Sequence, residues 1–237
     1  MSHNNCPRSG ASDDRVMARI SRLVIWPSCS YSASSRPALK AMIRAPGARI
    51  IAYSAGLDDA LYEHDGLITK REIRAITLSS LAPLRGQLLW DIGAGSGSIA
   101  IEWMLAHPSM RAMAIEARED RASRIRRNAV AFGVPRLEVF EGHAPKVLRG
   151  LATPDAVFIG GGASTPGVLD AAIAALRPRG RFVINAVTLE TEAELAARHA
   201  GLGGTLTRIA ISRAEAVGDQ RGWRSAMPVT QWVWVKP

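Results

Sequence analysis

Cysteine is nearly absent. The 237 residues hold two, Cys6 and Cys29, both ahead of the patterned part of the chain. They can build neither a disulfide framework nor a metal cluster, so no metal site is expected and a reducing cytoplasm is the expected compartment. Lysine is scarce too: Lys40, Lys70, Lys146 and Lys236 are the only ones, so the net charge of +9 is carried by arginine. No apolar run approaches the ~20 residues of a membrane span. The N-terminal stretch also lacks the apolar core of a secretory signal. What is present is a hydrophobic fraction of 47%, enough for a sizeable core. The arginine forks suit carboxylates or phosphates, so the partner is either nucleic acid or a polycarboxylate; a solvated arginine-rich surface gives the same balance.

Residues 1–37 are rich in Ser, Arg and Asn, show no period, and read as a tail or linker. A short apolar run within 45–56 is a candidate strand. The patterned domain is expected over 61–237, with 1–60 as tail and linker. From Thr69 onward helical and strand patterns alternate. "TKREIRAITLSSLA" is helical, its start set by capping-box spacing of Thr69 and Glu72. "QLLWDIGA", "RAMAIEA", "RLEVFEG", "DAVFIGGG" and "GRFVINAVT" read as strands, and "APKVLRGL" as a short helix. "TLTRIAISRAEAV" and "TQWVWVKP" are the last two strands, joined by a Gly/Arg-rich loop. Strands spaced by helices imply a mostly parallel, doubly covered sheet of seven strands, the last antiparallel. Ligands of such sheets sit beyond the carboxyl ends of the strands.

"LLWDIGAGSGSIAIEW" ends the first strand of that domain. Asp91 is followed by Gly93, Gly95 and Gly97, with Ala94 and Ser96 between them. A dinucleotide fold wants G-x-G-x-x-G and a pyrophosphate. Here the third glycine comes one residue early, and Asp91 would repel phosphate. A cationic, phosphate-free nucleoside fits better. S-adenosylmethionine, with S-adenosylhomocysteine as its product, is such a ligand; a tight turn without ligand is the other reading. Glu116, about twenty residues on, can accept both ribose hydroxyls. Gly142, His143 and Ala144, at the third strand end, would lie beside the adenine.

This arrangement over residues ~65–237 resembles the class I S-adenosylmethionine-dependent methyltransferases, an α/β fold with a Rossmann-like seven-stranded sheet and helices on both faces. The segments "DGLITKREIRA", "DIGAGSGSIAIEW", "EGHAP", "PDAVFIGGG" and "GRFVINAVTLET", in this order, further resemble the precorrin methyltransferases of cobalamin biosynthesis. Within them the match is to the decarboxylating precorrin-6B C15-methyltransferases, which occur alone or as the C-terminal half of a fused C5,15 enzyme. The resemblance implies methyl transfer to C15 of a reduced tetrapyrrole with loss of the ring-C acetate carboxyl as CO2. It implies a homotetramer and places Thr69 near the methionine end of the cofactor. Gly160, Gly161, Gly162 and Asn185 would border the substrate. Residues 1–37 do not resemble the upstream half of the fused form, whereas ~38–60 look like its end plus linker. The C5 step is therefore expected on a separate methyltransferase.

The substrate would be a polycarboxylate, and Arg71, Arg74, Arg213, Arg221 and Arg224 lie on segments that could rim its site. No catalytic acid or base is named by the pattern. There is no N/D-P-P-Y/F segment after the fourth strand, which argues against amino-directed base methylation. Two other readings stand beside this one: a class I tRNA adenine methyltransferase, and a catalytically silent cofactor-binding subunit. Scattered basic residues and the lack of an RNA-binding module weigh against the first, so no nucleic-acid and no membrane partner is expected.

Overall fold

Short, largely apolar segments form the centre of the sheet because both of their faces are covered. The computed structural model describes residues 54–237, a single unit from Ser54 to Pro237. The candidate strand within 45–56 and both cysteines fall, wholly or largely, outside the described residues. A strap over 54–70, with one 3-10 turn at Asp59–Leu61, leads into helix α1 (Arg71–Leu81). Then follow β1 (Leu88–Ile92), α2 (Ser98–Leu105), β2 (Arg111–Glu116), α3 (Glu119–Ala131), β3 (Glu138–Glu141) and β4 (Ala156–Ile159). The chain continues through α4 (Val168–Ala175), β5 (Arg181–Ala186), α5 (Leu189–Leu202), β6 (Thr205–Ile209), β7 (Ser212–Val217), β8 (Gln220–Ser225) and β9 (Val229–Val235).

The main sheet has seven strands in the order β3-β2-β1-β4-β5-β9-β6. The first five pair in parallel, and β9 runs antiparallel to both β5 and β6. Every residue of β1 and β4 is buried, as helices on both faces require. Leu88, Trp90 and Ile92 share one cluster with Val168, Leu169 and Ala172 of α4 and Leu195 of α5. The other face is covered by α1, α2 and α3, each packed on the next or on the strands below. β9 is an interior strand, so Trp232 and Trp234 are core. Their indole N–H groups donate to Gly203 and Leu202 carbonyls at 2.9 and 3.2 Å.

Four local expectations need correction. The helix expected over 144–151 is a single 3-10 turn, Lys146–Leu148, because Gly150 turns left-handed at φ +84°. The long strand from Thr205 breaks after Ile209, which pairs with Val229, the first residue of β9. Pro228 precedes Val229 and has no N–H to extend the ladder. The Gly/Arg-rich loop is instead β8, which pairs with β7 through the two-residue turn Gly218–Asp219. Finally, α1 is not capped by Thr69. Its N-cap is Lys70, which makes no side-chain cap bond, so Thr69 sits one residue too early to cap.

Arg74 is also not at a rim. It is wholly buried, and its Nε donates to Glu102 Oε1 at 2.5 Å. Its other nitrogens reach Asp59 at 2.9 Å, the Thr69 carbonyl and the Leu57 carbonyl. Glu102 also accepts from Gly56 N, Leu57 N and Tyr62 Oη at 2.6, 3.1 and 2.9 Å. Burial, with Glu102 beside it, pushes the Tyr62 hydroxyl far above its ordinary range, so it stays a donor. The cluster binds the strap to α1 and α2. Removing one member leaves the others buried and unpaired. Glu102→Ala is expected to lower stability by about 3–5 kcal/mol in urea unfolding; a loss below about 1 kcal/mol would show that the strap is held by something else.

Candidate active site

The carboxyl ends of β1, β2, β3 and β4 are laced together by backbone hydrogen bonds. Gly93 N and Ala94 N both donate to the Ile115 carbonyl, at 2.9 and 3.1 Å. Gly142 N donates to the Glu116 carbonyl and Gly160 N to the Ile92 carbonyl, each at 3.0 Å. Gly93 sits at φ +69° against Gly161: a Cβ there would lie 2.6 Å from the Gly161 carbonyl oxygen. Gly97 is the N-cap of α2 at φ +75°, where a Cβ would lie 2.7 Å from Ile125. Both positions therefore demand glycine for space as well as conformation.

Asp91 is buried beneath this loop at 1% exposure. Its Oδ2 accepts from Ala100 N at 3.1 Å, so a strand carboxylate satisfies a first-turn donor of α2 that glycine cannot. Its Oδ1 has no partner. Burial raises its pKa to about 7, against the Ala100 hydrogen bond and with the nearby Glu116 charge adding to the rise. Glu116, 5% exposed, accepts from Gly95 N at 2.9 Å through Oε2 and from Arg118 N at 3.1 Å through Oε1. Each oxygen keeps a second lone pair.

Above the loop lies a cleft of about 600 Å³. Thr69, Gly93, Ala94, Gly95, Ser96 and Glu116 line it, as do Gly142, His143, Ala144, Gly160, Gly161, Gly162 and Asn185. Asp91 and Gly97, from the same prediction, support the floor from below and do not line the cleft. Asn185 is tied down at both ends: its Nδ2 donates to Thr77 Oγ1 at 2.8 Å, and its Oδ1 accepts from Gln231 Nε2 at 2.9 Å. One N–H and one lone pair of the amide are left over. His143 is exposed.

Several lining residues escaped the sequence reading. Leu67, Lys70 and Arg121 come from the strap, the start of α1 and α3, while Ile211 and Met227 flank the β7–β8 hairpin. Topology explains the hairpin residues. The end of β6 and the start of β9 both lie at the carboxyl edge beside the end of β5, so the hairpin leaves the sheet there. The Gly218–Asp219 pair was its sequence signal. Asn128 of α3 was missed as well. Its Nδ2 donates to the Ser96 carbonyl at 2.9 Å and to the Glu63 carbonyl at 3.0 Å, and its Oδ1 accepts from Glu63 N at 2.9 Å. One amide thus joins the glycine loop to the strap. Against burial, hydrogen bonds from Arg121, Leu67 N and Arg124 hold the Asp65 carboxyl well below its ordinary range, fixing the strap a second time.

Residues 60–236 match the family model described as the precorrin methyltransferase domain. A decarboxylating precorrin-6Y C(5,15)-methyltransferase of Sinorhizobium sp. is 63% identical over 190 residues, covering 80% of this chain and 46% of the relative. The chain therefore spans less than half the length of that relative. A probable cobalt-precorrin-6B C(15)-methyltransferase (decarboxylating) of Pyrobaculum calidifontis is 35% identical over 73% of this chain and 92% of its own length. The crystal structure of the C-terminal domain of precorrin-6Y C5,15-methyltransferase from Rhodobacter capsulatus aligns with a TM-score of 0.75 at 45% identity, covering 78% of this chain and all of that one. The class I methyltransferase sheet also recurs in a SAM-dependent O-methyltransferase of Thermotoga maritima, at TM-score 0.58 and 18% identity over 71% of this chain and 66% of that one, a likeness of fold alone. With the whole of the sheet, the glycine loop and the cleft inside the matched region, this chain belongs to the precorrin methyltransferase family.

Proposed function

We propose that this chain transfers a methyl group from S-adenosylmethionine to C15 of a precorrin and removes the ring-C acetate carboxyl as CO2, in corrin biosynthesis. The observation that carries the reading is a continuous cleft with two unlike halves inside a family-matched domain. One half lies at the ends of β1, β2 and β3, with Glu116 and side-chain-free loops. The other lies at the ends of β4 and β5 and the base of the hairpin. The first half suits a cationic nucleoside: Asp91 Oδ1 is buried without a partner, and no Cβ fits at Gly93.

In this reading Glu116 holds the ribose hydroxyls and backbone at Gly142, His143 and Ala144 borders the adenine. Gly93, Ala94, Gly95, Ser96 and Thr69 surround the amino-acid end. When bound, the cofactor supplies an electrophilic methyl on a sulfonium. The chain's own contribution is alignment and exclusion of water, which can lower a barrier by up to ~7–11 kcal/mol. The triple glycine Gly160–Gly162 leaves room for a flat substrate, and Asn185 is preset by Thr77 and Gln231 to hydrogen-bond its edge. The substrate-half wall is largely apolar, with Ile209, Ile211 and Val229, which keeps the acetate-bearing edge dry. The C5 step is assigned outside residues 54–237. A homotetramer in the cytoplasm is the assembly and location proposed; among the described residues no helix is long and apolar enough to cross a membrane.

Mass spectrometry after incubation with precorrin-6B and S-adenosylmethionine is expected to show a product that has gained one methyl and lost CO2; an unchanged substrate would reject the reaction. Calorimetry with S-adenosylhomocysteine is expected to show about tenfold weaker binding for Glu116→Gln and at least a hundredfold loss for Gly93→Ala. Equal affinity in both variants would move the cofactor elsewhere. The Asp91 pKa, raised from the ordinary carboxylate value to about 7, sets a third test. A raised folded pKa means that the folded state holds the proton longer. Stability is then full below about pH 4 and falls as pH rises through 7, by on the order of 2–4 kcal/mol. Ligand-free thermal melts of the wild type should therefore fall relative to Asp91→Asn between pH 5 and 8, and parallel profiles would contradict a buried, proton-holding Asp91.

A further inference from the structure

The hairpin of β7 and β8 stands off the main sheet, with all but one of its strand residues exposed. Among the described residues a single side-chain hydrogen bond ties it to the rest of the chain: Arg213 Nη2 donates to Glu72 Oε2 at 2.5 Å. Arg213 also lines the cleft, on the substrate half. We propose that Arg213 is the cation that receives a peripheral carboxylate of the substrate, and that Glu72 holds this guanidinium until the substrate arrives. The proposal rests on the reading of this chain as acting on a polycarboxylate tetrapyrrole, and it names the residue that recognises such a substrate.

Three observations single out this arginine. First, the cleft presents three strong cations, Lys70, Arg121 and Arg213. Arg121 is committed to Asp65 at 2.8 Å, with side chains 18% and 26% exposed, at the strap beside the nucleoside half. Lys70 is a point charge without the planar fork that grips a carboxylate through two parallel bonds. Arg213 has the fork and stands where the substrate enters.

Second, the Arg213–Glu72 pair is easily exchanged. Its side chains are 45% and 43% exposed, so solvent screens it and its net worth is small. This is the opposite of Arg74, which is wholly buried and cannot be released without leaving charges stranded.

Third, Glu72 does not need Arg213. It lies in the first turn of α1, where the helix dipole favours an anion. Its carboxyl is held below its ordinary range first by its own backbone N–H and, against burial, by Arg213 after that. When a substrate carboxylate takes the guanidinium, Glu72 keeps its backbone partner and no buried group is orphaned. The exchange swaps one carboxylate for another on the same cation. The hairpin base, where Ile211 and Met227 border the same cleft, is then anchored to the substrate in place of α1.

The test uses the whole chain and two titrants, S-adenosylhomocysteine and the octacarboxylate tetrapyrrole uroporphyrin, followed by KM and kcat with precorrin-6B. Arg213→Gln should weaken the porphyrin and raise KM about tenfold, with a smaller change in kcat. Arg213→Lys should recover part of this. Glu72→Gln should do the reverse, tightening the porphyrin about twofold to fivefold, because the competing carboxylate is gone. The double variant should behave like Arg213→Gln alone. Cofactor-product affinity should stay within about twofold in all four, since that half of the cleft is untouched. A purely structural latch predicts that Glu72→Gln and Arg213→Gln weaken binding alike, and that result overturns the proposal, as does an Arg213→Gln that binds like the wild type. A wild-type chain that binds S-adenosylhomocysteine but neither tetrapyrrole rejects the substrate reading, and with it the clamp.

Discussion

Two backbones meet where no side chain fits. Gly93, leaving β1, and Gly161, leaving β4, approach so closely that a single methyl group at Gly93 would overlap the Gly161 carbonyl. Because the loops abut, the carboxyl ends of neighbouring parallel strands form one continuous floor. Because that floor is backbone, a ligand can approach it closely on either side of the seam. Asp91 lies directly below. It caps α2 with one oxygen and leaves the other unpaired in a dry setting. That arrangement is costly for an empty protein and favourable when positive charge is brought nearby.

The remainder of the site is held from above by the strap. Glu102, one turn into α2 from the glycine loop, gathers Gly56, Leu57, Tyr62 and Arg74, while Asn128 bridges Ser96 and Glu63. The wall carrying Leu67 and Thr69 is thereby fixed to the two helices that flank the loop. The half of the cleft proposed for the nucleoside is braced by these bonds, whereas among the described residues the hairpin half is tied by one side-chain bond, Arg213 to Glu72. That division matches a reaction in which one partner must be positioned tightly while the other is large and variable at its edges.

Much of this was legible in the chain. The glycine loop, Glu116 and the parallel strands are local features: their period, spacing and residue type are visible in a window of a few tens of residues. Arg74 was not legible, because its type and helical setting say surface, and what buries it is a carboxylate 28 residues away with the strap folded over both. Thr69 and Glu72 had the spacing of a cap, but the guanidinium of Arg74 takes the Thr69 carbonyl and the helix begins one residue late. The β7–β8 hairpin was hidden for a different reason. Its strands carry no alternating apolar face, since neither side packs on a core, so only the Gly218–Asp219 turn marked it. Arginine itself was ambiguous throughout: the same residue type serves as buried cross-link at Arg74, as strap tie at Arg121 and as clamp at Arg213.

The central claim is that the floor at residues 93–97 together with Glu116 cradles a sulfonium nucleoside. A crystal structure of the chain grown with S-adenosylhomocysteine measures this most directly. The account predicts the ribose hydroxyls on the Glu116 carboxylate and the amino-acid end over the glycine loop. Full occupancy of the ligand at any other place, or a loop left bare at saturating concentration, would contradict it.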